Sequence, residues 1–468
     1  MLLPIFSAIL GILAFLPFDF FWIFGLIFLV LLFIFFIKEE KFWRLILGVF
    51  IFRFIFISGT VYQTLEPIAW LSSIGIFLGL PITVYFIKKL TNFLIKKYNL
   101  NYQLLITNYY LLFLLPFLWT FFDHLEARYS FLPTYIIVAG NSLGSSPFLG
   151  LASVGGLITL TFFIALINIL IVAMILNFKN KKLAVIFTII IAFILLVSWQ
   201  ISVFQLQKNS LNYKNLRNSL KIAVISANEE FNIAQFNKLK SELTYQRVDL
   251  VIFPEDILNN STNTSANADF YQNLVKEMET NLVSTFDTVQ NQKRYNSTVL
   301  FNANGEIVGI YNKNRLTFIG EYWPFNWRPF FFSWILKTNP EFKEYVVFNP
   351  QNAYSRGNKK LLIISDIQFA SLICLEIHYP GDLKKYKKMG AQFIINPASN
   401  RWLNVGKKHF FYLTNNLKRI ESVWLKIPII SSGVNDYAGI TLPDGGKKLI
   451  NYNDKGKNFN IFFGEIRI

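Results

Sequence analysis

Seven apolar stretches, each near the length that a lipid bilayer demands, fill the first 203 residues of the chain. A hydrocarbon core requires roughly 20 predominantly apolar residues per helix. The stretches lie near 2–16, 20–37, 42–58, 68–87, 103–122, 150–177 and 183–203. In lipid the backbone must satisfy its own polar groups, so each stretch is expected as a helix. The first has the length of a secretory signal. It lacks a basic leader and more apolar stretches follow at once, so it is read as a retained helix. Beyond residue 203 the pattern turns charged and globular. The expected organisation is a transmembrane helical domain over 1–203, a linker over 204–220 and a soluble domain over 221–468.

Loop charges orient the helices. With the N-terminus in the cytoplasm, the loops 38–44, 88–99 and 178–182 face inward and carry ten Lys/Arg between them. The opposite loops, 17–19, 59–67 and 123–149, carry only Arg128. The positive-inside rule therefore places residues 204–468 outside the cytoplasm. Arg53 lies within the third stretch, where a charge is costly; it is read as snorkelling or facing an internal cavity. The Gly- and Ser-rich loop 123–149 falls on the same side as the soluble domain.

The net charge is +17, and residues 1–203 hold 12 Lys/Arg against 6 Asp/Glu. A basic soluble domain tethered to a bilayer suits anionic lipid headgroups. Nucleic acid is disfavoured, because the lysines are scattered and no binding motif accompanies them. Cys374 is the one cysteine, so an intramolecular disulfide is impossible. Three scattered histidines and one cysteine argue against a structural metal site.

Over 221–468 short β-branched runs alternate with helical patterns. "KIAVISA" and "VDLVIFPE" read as strands, "AQFNKLKSELTYQ" as a helix, and 267–285 as another helix. "STVLFN" and "GEIVGIYNK" read as strands joined by a turn at Asn304-Gly305. Further strands and helices at 380–389 and 407–425 complete an α/β pattern. Three polar side chains sit at strand ends, where α/β folds place ligands: Glu255 after "VIFP", Lys313 after "GIYN" and Cys374 after "FASLI". Taken singly, each has an ordinary structural explanation. Taken together, they form a machine. A thiol is a poor nucleophile until deprotonated, a sheltered carboxylate takes its proton, and a lysine steadies the oxyanion. The backbone N–H of Leu375 supplies a second oxyanion donor. Such a set performs acyl transfer through a thioester.

The ordered set "FPE", "YNKNRL…GEYWPF" and "ICLE" resembles the carbon–nitrogen hydrolase, or nitrilase, superfamily. The run "KNRLTFIGEYWPF", with "WTFFDHLEARYSF" and "LASVGGLITLTFFIALIN", resembles its membrane branch, the apolipoprotein N-acyltransferases. The resemblance implies an αββα sandwich behind a multi-span helical membrane domain. It implies Glu255 as general base, Lys313 as oxyanion stabiliser and Cys374 as nucleophile, with Glu321 a further essential carboxylate and Glu376 supporting the nucleophile's turn. It also implies the reaction. An acyl chain leaves a phospholipid, typically the sn-1 chain of phosphatidylethanolamine, and passes through Cys374 to the N-terminal amine of a diacylglyceryl-cysteine lipoprotein. No metal or organic cofactor takes part. The expected location is a bacterial cytoplasmic (inner) membrane, with the catalytic domain on the periplasmic side.

The segment "YWPFNWRPFFFSWILK" suits a lid dipping into the membrane interface, with Trp323, Trp327 and Trp334 as contacts; Trp402 is a further candidate. Several positions depart from the family pattern. Arg315 stands for His, Leu375 for an aromatic residue, "SNRWL" at 399–403 for Asn-Asp-x-Trp-Phe, and "SSGV" at 431–434 for Asn-Asn/Thr-Gly-Val. The chain closes on the strand-like "NIFFGEIRI" where the family has a last helix. His378 and His409 are read as lining the site rather than as the base. The competing readings are a membrane-tethered amidase or nitrilase, an acyltransferase with another amine acceptor, and a non-enzymatic transporter or binding scaffold. Lysophospholipid appearing without free fatty acid separates the first of these from acyl transfer.

Overall fold

The computed structural model describes residues 1–61, 73–98, 110–130, 134–227, 233–257, 264–318, 320–322, 353–401, 403, 406–451 and 459–468. Its helices, in chain order, are α1 (Leu2–Phe15), α2 (Trp22–Gly25), α3 (Val30–Lys38), α4 (Phe42–Thr60), α5 (Gly79–Tyr98), α6 (Tyr110–Tyr129), α7 (Ala152–Gly155), α8 (Leu157–Leu176), α9 (Lys181–Lys214), α10 (Ile233–Gln246), α11 (Thr264–Met278), α12 (Pro380–Met389) and α13 (Lys407–Leu425). Its strands are β1 (Ser219–Ala227), β2 (Leu250–Glu255), β3 (Asn281–Gln290), β4 (Lys293–Phe301), β5 (Ile307–Asn312), β6 (Leu362–Ile364), β7 (Ile367–Ser371), β8 (Phe393–Ser399), β9 (Ile429–Val434), β10 (Tyr437–Thr441), β11 (Lys447–Asn451) and β12 (Phe459–Arg467). Contacts divide the chain into two units. One is Met1–Lys208 with Val405–Trp424, the other Asn209–Asn404 with Leu425–Ile468.

In the helical unit each expected apolar stretch contains helix. Phe42–Thr60, Ser73–Lys97, Leu157–Leu176 and Lys181–Lys214 are long and apolar enough to cross a membrane; Leu2–Phe15 and Trp22–Lys38 are shorter. α6 has 20 residues but carries Asp123, Glu126 and Arg128 towards its C-terminal end. Two boundaries differ from expectation. The basic stretch 88–99 is not a loop: it is helical to Tyr98, with Lys96 and Lys97 in the last turn, where cations complement the helix dipole. The linker 204–220 is helical as far as Lys214, because α9 continues for 34 residues. At 1.5 Å per residue that is about 51 Å, well beyond a hydrocarbon core of about 30 Å.

Arg53 does not snorkel. It is buried, pairs with Glu126, lies 3.8 Å from Asp123 and stacks over Phe77 at 4.3 Å. Two carboxylates around one cation offset the cost of keeping charge in an apolar interior. Asp123 also accepts the Ala139 N–H at 2.8 Å, which ties α6 to the turns that follow it. Those turns pack on α13: Asn141 donates to the Leu413 carbonyl at 3.0 Å, and Ser145 meets the Tyr412 hydroxyl at 2.7 Å. A linear reading of the chain gave no hint that α13 would group with the helical unit.

The other unit is built on 12 described strands in two halves of six. The order β5-β4-β3-β2-β1 continues into β12, antiparallel to β1; the order β9-β8-β7-β6 carries β10 and β11 as an appended hairpin. The halves join where Ala227 pairs with Val434. They also face one another: β2 packs on β8 and β9, and the hydroxyls of Thr298 and Ser371 meet at 2.7 Å across the gap. α10 and α11 cover the first half, setting Phe236, Leu239, Tyr271 and Val275 against Val251 and Phe253. This is the sandwich the sequence led us to expect. One expected helix is corrected. Residues 267–285 do not form one continuous helix, because α11 ends at Met278 and Asn281–Gln290 is β3. β3 and β4 form a hairpin whose two turn residues, Asn291 and Gln292, have φ of 50° and 62°. That is a primed turn, and Gln is not one of its usual markers.

Candidate active site

β2 delivers Glu255. The register of β2 against β3 slips between Ile252 and Glu255, and such a bulge re-aims the side chain at the strand end. The carboxylate is buried yet well supplied: Asn296 donates to Oε1 at 2.7 Å and the Ser399 N–H to Oε2 at 2.9 Å. Burial raises its pKa above the usual carboxylate range; the Lys313 charge and the two donors pull it back, while Glu321 adds to the rise.

Lys313 follows β5. Its backbone N–H bonds to the Asn296 carbonyl at 2.9 Å, and its Nζ donates to Glu321 Oε1 at 2.8 Å. The side chain is 1 % exposed. Burial alone lowers its pKa, but Glu321, Glu255 and Cys374 hold the ammonium charged and raise it overall. Glu321 is fixed in turn by the Asn296 amide at 2.9 Å and the Thr317 N–H at 2.6 Å. One asparagine amide thus bridges two carboxylates, and both act on one ammonium.

Cys374 begins a short 3-10 turn, Cys374–His378, just past β7. Its φ is 52°, in the left-handed region that a residue with Cβ rarely adopts. Strain of this kind persists only where surrounding contacts over-determine it. Here Asn396 on β8 donates to the carbonyls of Leu372 at 2.6 Å and Cys374 at 3.0 Å. Glu376 supplies the second restraint. Its Oε1 accepts the backbone N–H groups of Asn314 and Arg315, at 2.9 and 2.8 Å, and its Oε2 accepts the Ile373 N–H at 2.9 Å. Tyr311 donates its hydroxyl at 2.9 Å and itself accepts from the Tyr386 hydroxyl at 3.0 Å. One buried carboxylate therefore pins the Lys313 turn to the Cys374 turn. Burial pushes its pKa up to about 7, against the pull of Lys313 and these donors.

Electrostatics join the sets. Burial raises the Cys374 thiol well above its ordinary value. Glu255 and Glu321 raise it further, whereas Lys313 and a hydrogen bond from the Leu375 N–H favour the thiolate. The structure therefore gathers Glu255, Lys313, Glu321, Cys374, Leu375 and Glu376 into one region. Trp323, Trp327, Trp334 and Trp402 lie outside the described residues. His378 is buried on the turn itself, and His409 lies on α13 in the other unit. Two residues escaped the sequence reading, Asn296 and Asn396. Their signal was faint: an uncharged amide inside a β-branched run.

Arg401 does not stand in for an acid; it bonds the Asp256 carbonyl at 2.8 Å and lies 3.7 Å from its carboxylate. The arrangement sets a thiol within the electrostatic reach of a buried carboxylate and a fixed cation. Among the described residues no group of His, Cys, Asp and Glu is disposed to hold a metal ion.

Comparison with known proteins adds the following. Residues 213–418 match the carbon-nitrogen hydrolase family, and residues 7–170 match the apolipoprotein N-acyltransferase N-terminal domain. An apolipoprotein N-acyltransferase of Aquifex aeolicus (strain VF5) is 28% identical over 166 residues, which is 35% of this chain and 34% of that protein. The chain thus spans about a third of the length of the curated relative it matches. A carbon-nitrogen hydrolase from Helicobacter pylori G27 superimposes with a TM-score of 0.40 at 13% identity, over 53% of this chain and 89% of that one. Saccharomyces cerevisiae Nit3, of the nitrilase superfamily, gives 0.39 at 15% identity, over 54% and 91%.

Proposed function

The chain belongs to the apolipoprotein N-acyltransferases of the carbon–nitrogen hydrolase superfamily, and on that premise we propose that it transfers an acyl chain from a phospholipid to a lipoprotein amine through a thioester on Cys374. The observation that carries this reading is the shared network of Glu255, Asn296, Glu321 and Lys313 acting on a strained Cys374.

In the first half-reaction Glu255 takes the thiol proton as sulfur attacks the ester carbonyl. A thiol whose pKa is raised rests protonated, so attack and proton transfer proceed together. Protonating Glu255 also removes the negative charge that most opposes the thiolate after burial itself. Lys313 and the Leu375 N–H receive the oxyanion. The carbon–oxygen bond breaks, and Glu255 returns its proton to the leaving alkoxide, which departs as lysophospholipid. In the second half-reaction the α-amine of the diacylglyceryl-cysteine attacks the thioester. Glu255 accepts an amine proton, the carbon–sulfur bond breaks, and the thiolate recovers that proton. Phosphatidylethanolamine is the proposed donor.

We place residues 1–203 in the bacterial inner membrane, with 221–468 on the periplasmic side, from the loop charges. The long apolar helices support the membrane assignment. Trp323, Trp327, Trp334 and Trp402 are proposed membrane or substrate contacts.

Intact-protein mass spectrometry after incubation with phosphatidylethanolamine tests the first step. A hydroxylamine-labile acyl adduct on wild type, absent in Cys374→Ala, is expected. A diacylglyceryl-cysteine peptide should then discharge it as an amide. Discharge only as free fatty acid would assign the chain to the hydrolases, and no adduct at all would defeat the reading.

A further inference from the structure

The mechanism uses one cation, Lys313, yet more cations crowd the same turn. Arg315 donates Nε to Asp382 Oδ2 at 2.7 Å, and its guanidinium lies 4.9 Å over the Tyr379 ring. Lys359 Nζ is 3.2 Å from Asp382 Oδ1, and Lys385 Nζ is 3.7 Å away. Three cations thus share one carboxylate, and two formal positive charges remain unmatched. The Arg315 and Lys385 side chains stay open to solvent, at 45% and 64% exposed, with Lys359 at 21%. Among the described residues no acceptor takes the two Nη groups of Arg315, although a guanidinium presents five N–H donors.

The patch is built rather than loose. Lys359 also donates to Asn314 Oδ1 at 2.7 Å, and Asn314 Nδ2 donates to the Gly357 carbonyl at 2.6 Å. The Gly357 N–H bonds to the Lys313 carbonyl at 2.9 Å. A Cβ at Gly357 would lie 2.2 Å from the Asn312 carbonyl oxygen, so only glycine permits this approach. The Arg315 backbone is held by Glu376, the same carboxylate that restrains the Cys374 turn. The Arg315 backbone is therefore fixed in relation to the nucleophile's turn. Asp382 stands in the first turn of α12, where the helix end adds partial positive charge.

We infer that this patch seats the phosphodiester of the glycerophospholipid acyl donor, an inference that rests on the acyl-transfer reading. A phosphodiester is a single diffuse anion, and a guanidinium with Nε already occupied still offers two Nη groups to its oxygens. The diacylglyceryl-cysteine acceptor carries no phosphodiester, so the seat serves the donor in the first half-reaction. The occupant is a lipid headgroup rather than free phosphate, because the seat is tied to the turn that positions the nucleophile. Only a ligand carrying an ester gains by being held there.

The test compares two donors with the same acyl chains, phosphatidylethanolamine and diacylglycerol, presented to the full chain in mixed micelles. The readout is the rate of Cys374 adduct formation. Arg315→Ala should lower the phospholipid rate about ten-fold more than the diacylglycerol rate, as loss of a charge-assisted bond implies. Lys385→Ala, at the most exposed of the three, should shift the same ratio less, and raised salt should shrink both effects. An unchanged ratio in both variants would make the cations structural and overturn the proposal. Inorganic phosphate should compete no better than chloride at equal ionic strength; strong competition would remove the lipid assignment. If wild type forms no adduct with either donor, the acyl-transfer reading falls, and affinity then decides the seat by itself. Tighter binding of short-chain phosphatidylethanolamine than of diacylglycerol by Cys374→Ala protein, lost in Arg315→Ala/Cys374→Ala, supports it. Equal affinities refute it.

Discussion

Replacing Asn296 by alanine removes the amide that bridges Glu255 and Glu321 and leaves the backbone carbonyl that receives the Lys313 N–H. The two lost bonds, 2.7 and 2.9 Å long, both end on carboxylates. A hydrogen bond to a charged group contributes about 1.5–3 kcal/mol. Two bonds from one amide are not additive, so the total cost is about 2–4 kcal/mol. We predict that half of it falls on the transition state, which slows Cys374 acylation about 5- to 30-fold. The pH profile carries the sharper signature. The Asn296 donor lowers the Glu255 pKa, so its removal raises that pKa and moves the acidic limb of the rate profile to higher pH. Asn296→Asp should move the limb further, because a third carboxylate then faces the other two. The assay is single-turnover adduct formation between pH 5 and 9, with melting curves alongside. A rate within two-fold of wild type and an unmoved limb would refute the reasoning, even with the melting temperature lowered.

Two more predictions test the restraints. Glu376 has a folded-state pKa of about 7, above its unfolded value of about 4.3, so the native state binds the extra proton between these values. Its contribution to stability therefore falls as pH rises through that window and is flat above it; Glu376→Gln should abolish that slope in melts at pH 5 and 8 while lowering acylation at every pH. At Cys374 the left-handed φ of 52° penalises any side chain, so Cys374→Gly should melt above Cys374→Ala by about 1 kcal/mol of stability, with both inactive. Glycine no more stable than alanine would mean that the turn stores no strain.

What the sequence disclosed followed the strength of each periodic signal. The apolar stretches were long enough to mark helices, and the charged ends of "VIFP-E", "GIYN-K" and "FASLI-C" stood out because ionisable groups interrupt buried strands. Helix ends were poorly marked. α5 continues through four lysines, which charge alone suggested was a loop, since lysines in a last turn are compatible with helix. α9 continues past the bilayer length for want of a glycine or proline to stop it. The 279–292 region misled for another reason. "STFDTVQNQKR" lacks the glycine that usually follows Asn in a primed turn, yet Asn291 and Gln292 adopt it because the nine-pair ladder of β3 on β4 fixes the register. The bridging roles of Asn296 and Asn396 are tertiary facts. An amide is legible as a bridge only when the carboxylates or carbonyls it serves have been placed.

The departures from the family pattern can be sorted by what the substituted side chain was asked to do. Glu255 takes its hydrogen bond at 399 from the Ser399 backbone N–H, which any residue but proline would supply. The altered "SNRWL" segment can therefore keep that support despite its different side chains. The same holds at 375, where the sulfur is served by the Leu375 backbone N–H rather than by its side chain. At 315 the backbone N–H again does the structural task, through Glu376, and the side chain is left to face outward. Substitution at these three positions leaves those backbone donors as they were. On the acyl-transfer proposal, the substitutions should therefore alter which lipid donor is preferred before they alter how its ester is broken.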